Sequence, residues 1–250
     1  MAMMESDASP ALSLVVPAYD EEDCVSALYA RVLEVFGRQL DWELVFVDDG
    51  SADRTAQVLE ELGEKDGRVR AILFESNCGQ STAIRVGIEQ ARAPLIATLD
   101  ADLQNDPEDL IGMLEALGSN DAVVGYRVTR EDGMVRLLSS RIANGIRNWI
   151  SGDSIRDTGC SLKIFRAEAI RSIPLLDGMH RFIPTLLRYH GYSVIEHPVS
   201  HRPRLAGESK YGIRNRAWRG LKDLIAVRWM RDRIRIPSIR TAGTREGESD

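Results

Sequence analysis

In the first half of the chain, short apolar runs rich in β-branched residues alternate with longer stretches of helical period. Leu12–Val16, Glu43–Val47, Val69–Phe74, Leu95–Leu99 and Ala122–Tyr126 read as strands. Between them, Asp23–Phe36, Asp53–Glu64, Gln80–Ala91 and Pro107–Leu117 read as helices. The strand runs lack polar alternation and are separated by helices. This predicts an α/β fold: a doubly wound, mostly parallel sheet covered by helices on both faces. Ligands in that layout gather beyond the carboxyl ends of the strands. Ser51-Ala52-Asp53 precedes one helix as a capping group, and Asp106-Pro107-Glu108 opens another with proline in its first turn. Asp53 and Asp106 are accordingly assigned to helix starts.

Past residue 150 the pattern is less regular. Asp153–Gly159 reads as a loop, Ser161–Phe165 as a strand, Phe182–His190 as a helix and Ser193–Ser200 as a strand. A basic helix is predicted from Ile213 to about Arg235, within a segment 211–236. At about 100° per residue it places Ile213, Ala217, Trp218, Leu221, Leu224, Ile225 and Trp229 on one arc. Arg216, Arg219, Lys222 and Arg233 fall off that arc, while Arg214 and Arg228 intrude on it. Tryptophans and long cationic side chains suit a lipid headgroup layer, although the same face could pack on the protein's own core or on a second copy. Residues 1–10 and 237–250 are expected to be disordered or flexible.

Composition is that of a soluble globular chain, with 44% hydrophobic and 28% charged residues in 250. No run approaches the roughly 18 apolar residues that span a bilayer, and no signal peptide is visible. Cys24, Cys78 and Cys160 are far apart and form neither a zinc pattern nor a disulfide framework. A cytoplasmic location with peripheral attachment to the inner face of the membrane is therefore expected. The net charge of −6 conceals a division. Residues 1–125 carry 8 Lys+Arg against 25 Asp+Glu, a net −17, whereas residues 126–250 carry 24 against 13, a net +11. Such polarity points to an acidic site in one half and an anionic partner for the other.

The acidic residues gather where strands end: Pro17-Ala18-Tyr19-Asp20-Glu21-Glu22 after the first, Asp48-Asp49-Gly50-Ser51 after the second and Asp100-Ala101-Asp102-Leu103-Gln104 after the fourth. On neighbouring parallel strands these termini converge, and their mutual repulsion calls for a cation or ligand donors. Asp100 and Asp102, at i and i+2, can both approach a hard divalent ion, with Gln104 adding an amide oxygen. Mg2+ or Mn2+ held by so few protein oxygens is usually completed by phosphates. A nucleoside diphosphate ligand follows.

Val15-Val16-Pro17-Ala18-Tyr19-Asp20-Glu21, Val47-Asp48-Asp49-Gly50-Ser51, Asn77-x-Gly79 and Asp100-Ala101-Asp102-Leu103-Gln104 together resemble the inverting family 2 glycosyltransferases of GT-A fold. Gly125-x-Arg127, Ser140-Arg141, Asp157-Thr158-Gly159-Cys160-Ser161, Phe165-Arg166 and Arg204-x-x-Gly207-x-Ser209-Lys210-Tyr211 narrow this to the polyprenyl-phosphate sugar transferase, dolichol-phosphate mannosyltransferase-like branch. Asp20 departs from the pattern, which usually has Asn there. The resemblance spans about residues 11–235 and implies a GT-A domain over 11–210, with a donor half, 11–126, and an acceptor half, 127–210. It implies transfer of a sugar from a UDP- or GDP-sugar to undecaprenyl or dolichyl phosphate. Pro17, Tyr19 and Glu21 would surround the nucleoside, with Asp48 beside them and Asp49 touching the base. Asp100 with Ala101 would orient the donor, and Asp100, Asp102 and Gln104 would hold the metal.

Arg127, Arg141 and Arg204 match the positions that would gather the acceptor phosphate, a task suited to arginine's planar fork. Arg130, Arg136 and Arg147 are read as solvated charges. A phosphate monoester has a second pKa of about 6 and is already nucleophilic at neutral pH, so Asp157 is open to two roles, positioning group or catalytic base. Gly207, Ser209 and Lys210 suit a lid over donor and metal. The partners so implied are a nucleotide-sugar, a polyprenyl phosphate, a membrane surface and a second copy or membrane-anchoring protein. Transfer to a sugar hydroxyl of a cell-envelope polysaccharide is the alternative, requiring Asp157 as base. A non-catalytic protein binding nucleic acid or another anionic surface is more remote. The acidic half would repel nucleic acid, and the basic stretch lacks an aromatic platform beyond Trp218 and Trp229. No G-x-G-x-x-G follows the first strand, against a nicotinamide site.

Overall fold

The computed structural model describes residues 9–37, 40–128, 150–202 and 213–236. Its strands are β1 (Leu12–Ala18), β2 (Trp42–Asp48), β3 (Val69–Leu73), β4 (Leu95–Thr98), β5 (Ala122–Arg127), β6 (Lys163–Arg166) and β7 (Val194–Val199). Its helices are α1 (Val25–Phe36), α2 (Thr55–Lys65), α3 (Gln80–Gln90), α4 (Asp109–Leu117), α5 (Ala167–Ser172), a 3-10 turn η1 (Met179–Phe182), α6 (Ile183–Tyr189) and α7 (Ile213–Arg231). The strands form one sheet of order β3-β2-β1-β4-β6-β5-β7.

Apolar residues at both phases of β1 and β2 dictate cover on both faces. Leu12, Leu14 and Val16 join one cluster with Leu28 of α1, Leu59 of α2 and Met113 of α4. Val15, Val45 and Val47 join the other, with Ile84 and Ile88 of α3, Ile170 of α5 and Leu186 of α6. All seven residues of β1 and all seven of β2 are buried. Each fully buried aliphatic side chain contributes about 1.5–3 kcal/mol, so these two strands anchor the fold.

Pro17 lies inside β1 rather than after it, as the sequence had suggested. Leu99 N donates to Val15 O, so the odd residues of β1 face β4. Pairing with β4 stops at Val15↔Thr98, whereas pairing with β2 continues to Ala18↔Asp48. The N–H that proline lacks therefore has no ladder partner to lose.

Among the described strands only β6 runs against its neighbours, pairing antiparallel with β4 (Thr98↔Lys163) and β5 (Val124↔Lys163). This reversal brings the start of β6, with the preceding loop, to the carboxyl ends of β4 and β5. Residues 157–161, distant in sequence from the first-half motifs, thereby reach the same edge.

In α7 the single apolar arc drawn from the sequence divides. Leu224 of that arc is buried in the core cluster together with Val227, which lay outside it, while Ile225 and Trp229 stand 59% and 60% exposed. Positions 224 and 225 are about 100° apart on a helix, so one side packs on the protein and the next faces out. Among the described residues no helix is long and apolar enough to cross a membrane.

Candidate active site

Three loops leave the carboxyl edge of the sheet as cross-braced turns. Asp20 takes a left-handed conformation, φ +50, which short side chains such as Asp and Asn tolerate. Its N–H donates to Ser51 Oγ at 2.9 Å and its Oδ1 accepts from Ala52 N at 2.8 Å. The Asn-to-Asp departure thus keeps the turn chemistry. Glu21 N donates to Thr55 Oγ1 at 2.8 Å, tying this loop to the start of α2.

Asp48, 2% exposed, accepts from the Ser51 backbone N–H at 3.2 Å and from the Ser51 hydroxyl. Asp49, 4% exposed, accepts from Cys78 N at 2.7 Å and from Gly79 N at 2.9 Å. Both carboxylates act as struts for turns, and burial raises the Asp49 carboxyl above its ordinary range. Gly50 between them has φ +73, and a Cβ there would lie 2.5 Å from Ser76 C and 2.7 Å from Asn77 N. Only glycine fits.

The β4 end carries the densest chemistry. Asp100 Oδ1 accepts from Gln80 Nε2 at 2.8 Å, and Asp100 N donates to Ser161 Oγ at 3.2 Å. Asn105 Nδ2 also donates to Ser161 Oγ, at 2.7 Å, while Thr98 Oγ1 donates to Ser161 O at 2.8 Å. Ser161 is therefore the clasp between the β4 terminus and the loop feeding β6. Asp102 Oδ1 accepts from Gln104 N at 3.2 Å, and Gln104 O accepts from Arg202 N at 2.8 Å. Leu103 between them has φ +59, which costs a branched residue about 1–2 kcal/mol and is held by these contacts. Ala101 is buried at 3%.

Burial, then the charge of Asp102, and more weakly that of Glu21, push the Asp100 carboxyl up to about 6. Such crowding is what a hard divalent cation relieves, and Asp100 with Asp102 is a suitable oxygen donor pair. Among the described residues no three His, Cys, Asp or Glu side chains are placed to hold a metal by themselves.

At the end of β5, Arg127 grips Asp157 with both prongs of its fork, Nε to Oδ2 at 2.7 Å and Nη2 to Oδ1 at 2.9 Å. Gly159 N donates to Asp157 Oδ1 at 3.1 Å, and Arg127 Nη2 would lie 3.1 Å from a Cβ at Gly159. Thr98 of β4 and Val124 of β5 both pair with Lys163, so Asp100 and Arg127, just beyond them, leave the same edge of the sheet on either side of β6.

A cavity of about 160 Å3 opens beside Asp100, between Pro17, Ile84 of α3, the 158–161 loop and η1. It exposes three groups that the sequence reading passed over, Lys163, His180 and Arg181. Lys163, 5% exposed, donates from Nζ to Cys160 O; burial lowers the pKa of its ammonium, against the pull of nearby Asp100 and Asp157. His180 Nδ1 is 2.7 Å from Ser81 Oγ. Burial, with Arg181 and Lys163 adding to it, pulls its pKa down to about 3 and leaves the ring neutral. Lys163 could have been noticed as a lysine inside an apolar strand. His180 and Arg181 sit in a single turn with no period to mark them. Arg141, Arg204, Gly207, Ser209 and Lys210 lie outside the described residues, as do Arg130, Arg136 and Arg147.

Residues 13–173, from β1 through α5, match the model of glycosyl transferase family 2. The chain belongs to that family. Among curated relatives it is 41% identical over 223 residues to a dodecaprenyl-phosphate galacturonate synthase of Rhizobium johnstonii. That alignment covers 86% of this chain and 66% of the relative. It is 40% identical over 207 residues to an undecaprenyl-phosphate 4-deoxy-4-formamido-L-arabinose transferase of Edwardsiella ictaluri, covering 81% of this chain and 63% of the relative. The chain thus spans just under two thirds of these relatives' length. The fold is shared with glucosyl-3-phosphoglycerate synthase of Mycobacterium tuberculosis, a GT-A structure solved with Mn2+, UDP-glucose and phosphoglyceric acid. There the TM-score is 0.65 at 17% identity, over 92% of this chain and 81% of that one. The same enzyme with Mg2+ and UDP gives 0.66 at 17% identity and the same coverage.

Proposed function

We propose that this chain transfers a sugar from a nucleoside-diphosphate sugar to a polyprenyl monophosphate, with inversion, aided by Mg2+ or Mn2+. The observation that carries the reading is that the end of β4, with Asp100 and Asp102, and the end of β5, with Arg127, flank the start of β6 at one edge of the sheet. An anionic, metal-seeking carboxylate pair and a cationic, phosphate-seeking arginine thus leave the same edge of the sheet. Both named relatives use polyprenyl phosphates, in support of the acceptor class. Their names give two different sugars, so relatedness leaves the sugar open.

In this reading Asp100 and Asp102 hold the cation, which when bound offsets charge on the departing diphosphate. Asp49 and Asp48 fix the turns that frame the nucleoside, with Pro17, Tyr19 and Glu21 on the neighbouring loop. Any contact of Asp49 with the base has to share a carboxylate already engaged by Cys78 and Gly79. A phosphate oxygen of the acceptor attacks the anomeric carbon, a new C–O bond forms on the opposite face, and the bond to the diphosphate breaks. The acceptor is largely a dianion near neutrality, so no proton has to be removed. Arg127, with Arg141 and Arg204 in the same service, offsets the repulsion between the two phosphate groups.

Asp157 is the positioning group. Its two oxygens serve Arg127 and Gly159 N, an arrangement that orients the guanidinium and is poorly suited to accepting a substrate proton. This disfavours a sugar hydroxyl acceptor, which needs a base. Ile225 and Trp229 on the outer side of α7, flanked by Lys222, Arg228 and Arg233, form a surface suited to an anionic bilayer, where a polyprenyl acceptor resides.

Thermal stabilisation by a panel of UDP- and GDP-sugars, with and without Mg2+, tests the donor side. One base series should raise the melting temperature only when the metal is present. Absence of stabilisation by every nucleotide would remove the foundation of the proposal.

A further inference from the structure

The cavity beside Asp100 is lined by two basic side chains, Lys163 and Arg181. If the diphosphate is held at Asp100 and Asp102, the sugar bonded to it enters the space that Asp100 borders. Lys163 comes to that space from β6 and Arg181 from η1. The carboxylates that act on Lys163 are Asp100, whose Oδ1 already accepts from Gln80 Nε2 at 2.8 Å, and Asp157, which Arg127 grips with both prongs. Lys163 is 5% exposed and donates to a backbone carbonyl, Cys160 O, which accepts one of three ammonium protons and brings no opposing charge. His180, held by Ser81 at 2.7 Å, supplies a second polar atom without charge. The walls at Ile84 and Ile183 are apolar.

Hydroxyl groups can satisfy donors, but a buried ammonium is stabilised far better by an anion, and arginine's fork at the mouth matches a carboxylate. We propose that this pocket selects a sugar bearing a carboxylate, a hexuronate, with Lys163 and Arg181 as the residues that determine the choice. The inference rests on the nucleotide-sugar reading above and adds the chemical class of the sugar to it. The substituent itself takes no part in bond making or breaking.

Isothermal titration of the full chain in Mg2+ tests it with free UDP, with UDP-glucose against UDP-glucuronate, and with UDP-galactose against UDP-galacturonate. The GDP-sugar counterparts, GDP-mannose against GDP-mannuronate, serve if guanine is the base that binds. At least one uronate should bind ~10-fold or more tightly than its neutral partner, the order expected for one charge-assisted pair. Arg181→Met and Lys163→Met should each bring that ratio within about threefold of unity, as loss of a charge-assisted hydrogen bond requires. Arg181 is exposed, so its substitution leaves the core untouched, and circular dichroism checks the fold of Lys163→Met. Ratios near one in the unmodified protein, with free nucleotide still bound, would overturn the acidic-sugar assignment and leave nucleotide binding standing. A uronate preference that survives both substitutions would overturn the assignment of these two residues. Failure of UDP and GDP alike to bind would overturn the nucleotide-sugar reading and this inference with it.

Discussion

Replacing Asp157 with Asn separates a positioning group from a base. The Arg127–Asp157 pair is largely buried, with side-chain exposures of 18% and 11%, and is bidentate at 2.7 and 2.9 Å. Removing one charge from a fully buried pair costs about 3–5 kcal/mol. Asn keeps the volume and one acceptor, and some water reaches the site, so a loss of about 2–3 kcal/mol is expected. For a chain of this size each kcal/mol corresponds to about 2–4 °C, so the melting temperature should fall by about 4–12 °C. Arg127, no longer held from both sides, drifts from the acceptor phosphate. A misplacement near 1 Å lowers kcat/KM by about 10²-fold.

Loss of a general base would cost about 10²–10⁴-fold, an overlapping range, so the pH profile decides. With a positioning role, kcat/KM in both proteins rises as pH passes the acceptor's second pKa near 6 and is flat above it. The curves should differ in height alone. A stable Asp157→Asn protein whose profile has lost a limb present in the parent would refute the reasoning and restore Asp157 as base.

Other consequences follow from the same geometry. Asp100 in the metal-free protein has a carboxyl raised to about 6 against about 3.9 unfolded. The folded state therefore holds its proton more tightly, and stability from this group is full below pH 4 and lost as pH rises through 6. Asp100→Asn should accordingly melt higher than the parent at pH 7 without metal, by up to about 3 kcal/mol, lose the metal-dependent shift, and show no advantage at pH 4. Gly50→Ala combines φ +73 with a 2.5 Å approach to Ser76 C and should cost more than about 2 kcal/mol, measurable by urea denaturation; an unchanged midpoint would contradict the packing described. Replacing both Ile225 and Trp229 with Ser should leave the melting temperature within about 2 °C, since both are exposed. It should also lower co-flotation with anionic liposomes by ~10-fold or more, from the apolar area withdrawn. Undiminished flotation would move membrane docking elsewhere.

β1, β2 and β4 were legible because each is an apolar run needing cover on both faces, with its polar residues gathered at one edge. The direction of β6 was not legible. Ser161–Phe165 reads as a strand either way, and its antiparallel pairing with β4 is a tertiary choice that no periodicity encodes. That choice brings Ser161 to Asp100 and Lys163 into the cavity, so the part of the site missed in sequence is the part it assembles. The short α5 and η1 were missed for want of a full helical period, and His180 and Arg181 with them. Asp48 and Asp49 were noticed for their charge, yet the structure spends both on hydrogen bonds to turns, since carboxylates this deeply buried need donors. The split of α7 into a buried side at Leu224 and Val227 and an outer side at Ile225 and Trp229 depends on where α6 lies.

Mass spectrometry of the lipid product, after incubating the protein with Mg2+, a nucleotide-sugar that stabilises it, and undecaprenyl phosphate in detergent, tests the transfer most directly. The expected product has the mass of a polyprenyl monophosphate carrying one sugar and forms together with nucleoside diphosphate, and its NMR spectrum shows an anomeric configuration opposite to the donor's. Recovery of unmodified lipid phosphate, while the same donor is transferred to a sugar hydroxyl, would contradict the assignment.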